Sequence, residues 1–146
     1  MKLTDLRGIL HYVPQFRDRT FILAIDGGIV LNENFATLLL DVALMWSLNI
    51  RVVVVHGAAE PIRILAEAQH VHPSDLDGTG VTDATTLQLA LTAAKRLTHE
   101  ILEGLTVHDL RAACPNVVVA HPAAVMQGVD QLFTGRVERI HTAILL

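Results

Sequence analysis

Hydrophobic residues follow two patterns along this chain, continuous apolar runs and stripes at helical spacing. The runs Thr20 to Asp26 and Arg51 to His56 contain almost no polar alternation. Such runs are typical of parallel strands that are covered on both faces. Asn116 to His121 predicts a third buried strand in the same way.

Apolar stripes at helical spacing lie before, between and after these strands. Pro14 stops the first stripe, Asn34 can cap the second, and Asn49 ends it in place of a glycine. Past the third strand, the pattern predicts a hairpin or meander over 122–140 and the first turns of a helix over 141–146. The predicted helices cover residues 3–13, 34–48, 61–69 and 82–103.

The alternation of strands and helices predicts an α/β fold, with a mostly parallel sheet and helices on both faces. A length of 146 residues fits one domain or part of one. We expect a peripheral N-terminal helix over 1–14 and an α/β core over 20–146. The last helix would begin near Thr142 and stop at Leu146, so the chain is expected to be truncated partway through a fold.

Composition and charge exclude several classes of protein. With 51% hydrophobic and 18% charged residues the chain is not disordered, and a net charge of −4 without a basic cluster argues against nucleic-acid binding. Its apolar runs are far shorter than the roughly 20 residues of a membrane span. The charged segment Met1 to Arg7 is unlike a signal peptide, and a single cysteine fits a reducing compartment. We therefore expect a cytoplasmic protein with no nucleic-acid or membrane partner.

Two loops follow predicted strands and are candidates for a binding site. They are Gly27-Gly28 and the segment from His56 to Ala59. In open α/β sheets ligands bind beyond the carboxyl ends of strands, where glycine amides and helix N-termini favour an anion. The alternative is that each glycine merely ends a strand. Two such loops on neighbouring strands favour a site.

Other candidates carry weaker signals. Neither common phosphate-binding glycine motif occurs. Cys114 is interpreted as a small packed thiol, because no base lies near it in sequence. His70 and His72 could share a metal ion but fit a solvated loop better, and His99 with Glu103 fits a surface pair. The stripe over 3–13 could form a core helix or a helix that binds a partner.

Several segments together resemble the amino acid kinase family, and within it the kinase-like domain of N-acetylglutamate synthases. Acetylglutamate kinases are the closest relatives with kinase activity. The resemblance spans nearly the whole chain but only about the N-terminal half of the family's domain. It is carried by Gly27-Gly28, Glu33-Asn34-Phe35, Ser47 to Gly57, Gly78 to Asp83, Gly128-Val129-Asp130 and Gly135 to Ile140.

The resemblance implies a three-layer α/β/α sandwich whose N-terminal half binds substrate. It places Gly27 and Gly28 where kinase amides meet the transferred phosphate, and the loop after His56 around the same group. Three features with which the kinases bind their ligands are replaced in this sequence. Ile25 replaces a lysine, Ala58 and Ala59 replace glycines, and Gly80 replaces a carboxylate-binding arginine. This implies that the chain is inactive as a kinase.

The expected function is a regulatory or assembly role in an N-acetylglutamate synthase of arginine biosynthesis. Acetyl-CoA would serve the parent enzyme, and this part would bind no cofactor. The alternatives are an acetylglutamate kinase using ATP and Mg²⁺, and an oligomerising binding module without enzyme activity. Expected partners are further copies of the chain and glutamate, N-acetylglutamate or arginine. No catalytic or metal-binding residue is predicted, and the candidate ligand- or anion-binding residues are Gly27, Gly28, His56, Gly57, Ala58 and Gly80.

Overall fold

The computed structural model describes residues 14–76 and 79–145. The helix predicted over 3–13 lies outside them. Residues 14–16 are helical. The helices are α1 (Phe35–Ser47), α2 (Ala59–Ala68) and α3 (Ala84–Val107), with 3-10 helices at Gly27–Leu31 and Thr142–Ile144. The strands are β1 (Thr20–Ile25), β2 (Arg51–His56), β3 (Val118–Pro122), β4 (Val125–Met126), β5 (Val129–Asp130) and β6 (Gly135–Ile140).

Strands β1 and β2 form a parallel pair in the predicted order. Their register runs from Thr20 opposite Arg51 to Ile25 opposite His56. Leu23, Ile25 and Val52 pack against the helical core. On the opposite face Ile22 is 73% exposed. Within residues 14–76 and 79–145 the helices cover one face of this pair, so the prediction that both faces are covered is wrong for the described part of the chain.

The helices supply the hydrophobic core. One cluster joins α1, α3 and the first 3-10 helix, and a second joins α2 to α3. Gly104 lets α1 and α3 approach closely, since a Cβ there would lie 2.6 Å from Leu39 Cδ1. The first cluster contains Val30, Leu39, Val42, Leu97, Ile101 and Leu105, and the second contains Ile62, Ala66, Leu89 and Ala93.

Helix ends follow the sequence signals in part. Asp83 caps α3, accepting a 2.7 Å hydrogen bond from the Thr86 amide. Asn49 ends α1 with a φ of 61°, the left-handed conformation that asparagine tolerates. Asn34 occupies the cap position of α1, but its side chain makes no capping bond, and its own amide donates to Asn32 Oδ1.

The C-terminal region is an exposed set of antiparallel strands. β3 pairs with β6 across a bulge, and β4 pairs with β5 as a short hairpin, which confirms the hairpin predicted within 122–140. β3 is exposed at four of its five positions, so its predicted burial is wrong. Residues 142–144 form a 3-10 turn where an α-helix was predicted.

These pairings correct the predicted sheet. The α/β class is confirmed, but the described strands form one parallel and two antiparallel two-stranded sheets, and no single, mostly parallel sheet appears among them. A bridge between Thr82 and Leu132 ties the C-terminal strands to the start of α3. Within 14–76 and 79–145, no helix has both the length and the apolar character needed to cross a membrane.

Candidate functional site

The two glycine loops predicted from the sequence meet in space. Because β1 and β2 are parallel and in register, their carboxyl ends lie side by side. Gly27 is buried, and a Cβ built on it would collide with the Gly57 carbonyl oxygen and lie 2.9 Å from Leu97 Cδ2. Glycine at position 27 is therefore required for the two loops to touch.

His56 joins these loops to α3. Its Nε2 lies 2.9 Å from Thr98 Oγ1, and its Nδ1 lies 3.4 Å from the Gly57 carbonyl oxygen. Thr98 Oγ1 in turn donates to the Ala94 carbonyl oxygen at 2.9 Å. We call Gly27, His56, Gly57 and Thr98 the strand-end clasp.

Thr98 is the member of the strand-end clasp that sequence reasoning missed. It follows Leu97 and lies four residues after Ala94, both on the apolar stripe of α3. A hydroxyl group beside an apolar stripe needs a hydrogen-bond partner, so the position of Thr98 in the sequence could have indicated a polar contact there.

Backbone amides that were predicted to face an anion are already engaged. The Gly28 amide donates to Asp26 Oδ1 at 2.7 Å, and the Gly57 amide donates to the Ile25 carbonyl oxygen at 3.0 Å. Ile25 stands where the sequence resemblance expected a lysine, and it holds the Gly57 loop through its backbone carbonyl oxygen. The anion site stays a prediction, with two of its expected donors used within the protein.

Negative charge also lies beside Gly28. A Cβ at Gly28 would be 3.3 Å from Asp26 Oδ1 and 3.5 Å from Glu60 Cγ. Arg63 hydrogen-bonds to Glu60 at 2.5 Å, lowers the pKa of that carboxyl, and has its own pKa raised by Glu60 and Glu67. Glu60 therefore remains ionised next to this loop at neutral pH.

The clasp is open at Gly57. No atom lies within 4 Å of a Cβ built there. Ala58 occupies the cap position of α2 and packs against the α2–α3 cluster. Its methyl group therefore faces the hydrophobic core. Gly57 is thus the position of the clasp at which a side chain would enter open space.

Gly80 is not brought to the strand-end clasp. It precedes the N-terminus of α3, and its carbonyl oxygen accepts a 3.3 Å hydrogen bond from Thr134 Oγ1. Leu97, which lies against Gly27, is between three and four helical turns beyond Ala84, or about 20 Å along the axis. Five of the six predicted site residues are thus grouped, and Gly80 is separate.

The remaining candidates lie on the surface. Cys114 is exposed, so its interpretation as a packed thiol is wrong. His99 and Glu103 are exposed on α3, and His70 and His72 are exposed in a loop. No group of three or more metal-ligating side chains occurs in the part of the chain that the structure describes.

Comparisons with known proteins find amino-acid acetyltransferases. The chain is 36% identical over 147 residues to the amino-acid acetyltransferase of Salmonella typhi. It is 33% identical over 144 residues to that of Pseudomonas fluorescens strain SBW25, and 33% over 147 residues to that of Escherichia coli strain K12. Each match covers 92% of this chain and 33% of the relative, so the chain spans about a third of the length of these curated relatives. No family model matches.

Two solved structures of N-acetylglutamate synthase from Neisseria gonorrhoeae share the fold. The one complexed with coenzyme A and N-acetyl-glutamate gives a TM-score of 0.85 at 29% identity, covering 99% of this chain and 34% of that one. The one complexed with coenzyme A and L-arginine gives 0.81 at 28% identity, covering 99% and 36%.

These findings correct the family expected from the sequence. The relatives are amino-acid acetyltransferases and the solved structures are N-acetylglutamate synthases, whereas the sequence resemblance pointed to amino acid kinases. The assignment to the kinase family is therefore dropped. The similarity to N-acetylglutamate synthases, which was part of the same expectation, is retained.

Proposed function

We propose that this chain is part of an amino-acid acetyltransferase of the N-acetylglutamate synthase type, acting in arginine biosynthesis. The observation that carries the proposal is 36% identity over 147 residues to the Salmonella typhi enzyme. The TM-score of 0.85 over 99% of the chain supports it independently of sequence. In this reaction the amino nitrogen of glutamate attacks the thioester carbon of acetyl-CoA, loses a proton, and displaces coenzyme A as its thiol.

We assign to this chain the binding of an amino-acid ligand, which is glutamate, N-acetylglutamate or arginine, and a part in assembly. The solved neighbours contain N-acetyl-glutamate in one case and L-arginine in the other. The strand-end clasp supports a small ligand, because it lies beyond the carboxyl ends of two parallel strands and is open above Gly57.

Coenzyme A is not assigned to the strand-end clasp. Its diphosphate needs cationic or free amide donors, whereas Asp26 and Glu60 place carboxylates beside Gly28. In this proposal acetyl-CoA is a substrate of the whole acetyltransferase and does not bind at the strand-end clasp.

The test is acetyl transfer by the protein that contains this chain. Incubation with acetyl-CoA and glutamate should release coenzyme A thiol, followed with a thiol reagent, and produce N-acetylglutamate by mass spectrometry. Absence of glutamate-dependent thiol release would reject the proposed reaction.

A variant pair tests the clasp assignment. Gly57→Val adds a side chain whose Cβ meets no atom within 4 Å outside its chain neighbours. We expect it to weaken binding of the amino-acid ligand by about tenfold, or ~1.4 kcal/mol. Gly135→Val is the matched control, on an exposed strand where the nearest atom is 4.0 Å from the added Cβ. Equal binding of all three ligands by both variants and the parent would reject the clasp as the binding site.

A further inference from the structure

Helix α3 touches both loops of the strand-end clasp through two consecutive residues. Leu97 Cδ2 lies 2.9 Å from the position of a Cβ on Gly27, and Thr98 Oγ1 lies 2.9 Å from His56 Nε2. Leu97 is 2% exposed and belongs to the cluster that joins α1 and α3. Because close packing fixes this part of α3, both loops rest against one well-ordered surface.

Three threonines of α3 make the same bond within the helix. The hydroxyls of Thr92, Thr98 and Thr106 each donate to the carbonyl oxygen four residues earlier, at 2.9, 2.9 and 2.8 Å. This bond is a local habit of threonine in helices and implies nothing outside the helix. Within 14–76 and 79–145, only Thr98 among the three also contacts a polar side chain of another element.

The position of the His56 ring depends mainly on Thr98. The second ring contact, from Nδ1 to the Gly57 carbonyl oxygen, is 3.4 Å long, which is weak for a hydrogen bond. His56 is the last residue of β2, and the Gly57 carbonyl oxygen that follows it is the atom against which Gly27 packs. The ring therefore connects α3 to the contact between the two loops.

We propose that Thr98 is a positioning residue of the strand-end clasp, which holds the His56 ring against α3 and so keeps the Gly57 loop in place for an amino-acid ligand. The inference rests on the proposed function, in which the clasp binds that ligand. Without the Thr98 hydroxyl, Nε2 loses its partner and the ring can adopt other rotamers. The loop then samples more positions, and ordering it again on binding lowers the affinity.

The first test is calorimetric titration of the 146-residue chain with glutamate, N-acetylglutamate and L-arginine. Thr98→Val keeps the β-branched shape and removes the hydroxyl. It should weaken binding of the ligand that the parent binds by about three- to tenfold, the effect of one side-chain hydrogen bond. Thr98→Ser retains a hydroxyl and should remain within about twofold of the parent.

Thr92→Val is the matched control, because it removes the same bond within α3 and has no contact with His56. Thr92 is also half-buried, and it lies six residues before Thr98, or about 9 Å along the axis. Its affinity for the ligand should remain within about twofold of the parent.

The second test distinguishes positioning from a general loss of stability. The ring carbon–proton signal of His56 in the magnetic resonance spectrum, assigned by its loss in His56→Phe, should shift in Thr98→Val. It should keep its parent position in Thr98→Ser and Thr92→Val. In the His56→Phe chain, Thr98→Val should weaken ligand binding no further, because Thr98 acts through the histidine.

The outcomes separate this inference from the proposed function. Equal affinities of Thr98→Val and Thr92→Val, an unshifted His56 signal, or a full effect of Thr98→Val in the His56→Phe chain would each overturn the positioning role and leave the ligand site standing. A parent chain that binds none of the three ligands would overturn the ligand site and this inference with it. Circular dichroism establishes that each variant is folded, and Thr98→Ala takes the place of a Thr98→Val chain that is not.

Discussion

The region packed around α3 and the C-terminal strands differ sharply in burial although both are rich in apolar residues. Among residues 14–76 and 79–145, every buried hydrophobic residue lies in the stretch from Val30 to Leu105. Over 118–145 no described residue is buried. Even large apolar side chains are exposed there, Val125 at 65% and Phe133 at 55%. Apolar side chains are buried only where a second layer lies against them. Helix α3 supplies that layer for the first region, and the described chain supplies none for the second.

The largest expected effect comes from deleting a side chain at the centre of the packed region. Leu97 is 2% exposed and lies in the cluster that joins α1 and α3. Leu97→Ala should reduce the free energy of unfolding by about 2–5 kcal/mol, through lost burial and a new cavity. Urea denaturation followed by circular dichroism measures it.

Val137→Ala provides the comparison in the exposed region. We expect a change in the free energy of unfolding within about 0.5 kcal/mol. A cost similar to that of Leu97→Ala would show that the C-terminal strands are as tightly packed as the core.

A smaller effect is expected at the contact between the two glycine loops. Gly27→Ala forces a methyl group against the Gly57 carbonyl oxygen and should destabilise the fold by about 1–3 kcal/mol. Gly57→Ala meets no atom within 4 Å and should change unfolding by less than about 0.5 kcal/mol. Thermal denaturation of the two variants measures the difference in stability. Equal melting temperatures would show that the close approach of Gly27 to Gly57 does not require glycine at position 27.

The cap of α3 makes stability depend on pH. The Thr86 amide donates to Asp83 and holds the pKa of that carboxyl below its ordinary value of 3.8. The unfolded state then binds a proton more readily than the folded state. The stabilisation is present above the ordinary value and is lost as pH falls through the lower folded value.

Asp83→Asn tests this linkage, because asparagine caps helices about as well but does not titrate. The melting temperature of the parent should fall more steeply below about pH 4 than that of the variant. Parallel melting curves would show that this carboxyl does not contribute to acid unfolding.

The smallest effect is expected at Cys114 in the segment between α3 and β3. Its thiol is exposed, so a thiol reagent should modify the native chain stoichiometrically without denaturant. Cys114→Ser should leave the melting point unchanged, with a free-energy difference within about 0.5 kcal/mol. Modification that requires unfolding would place this segment in the packed region.

Local patterns in the sequence were sufficient for most helices and strands. The apolar runs ending at Ile25 and His56, and the stripe through Leu97, set strand and helix periods that tertiary packing did not override. Asn49 ends α1 as predicted, because its left-handed φ is a local property. The bounds of α3 were less well predicted, since the helix continues to Val107.

Properties that depend on distant parts of the chain could not be predicted in this way. The apolar run of β1 does not reveal that no described residue covers Ile22, which is largely exposed. The family resemblance grouped Gly80 with Gly57, yet the length of α3 separates them. The engagement of the Gly28 amide by Asp26 was readable in principle, because an aspartate two residues earlier commonly caps such a turn.

The two contacts of the His56 ring compete for its proton. Nε2 lies 2.9 Å from Thr98 Oγ1, and Nδ1 lies 3.4 Å from the Gly57 carbonyl oxygen, which can only accept. The Thr98 hydroxyl carries one proton, which it can donate to the Ala94 carbonyl oxygen or to Nε2. When Thr98 donates to Ala94, it accepts from Nε2–H of neutral His56. When the ring proton is on Nδ1, it points at the Gly57 oxygen and Thr98 donates to Nε2 instead. The orientation of one hydroxyl group on α3 is therefore coupled to the tautomer of the histidine at the end of β2.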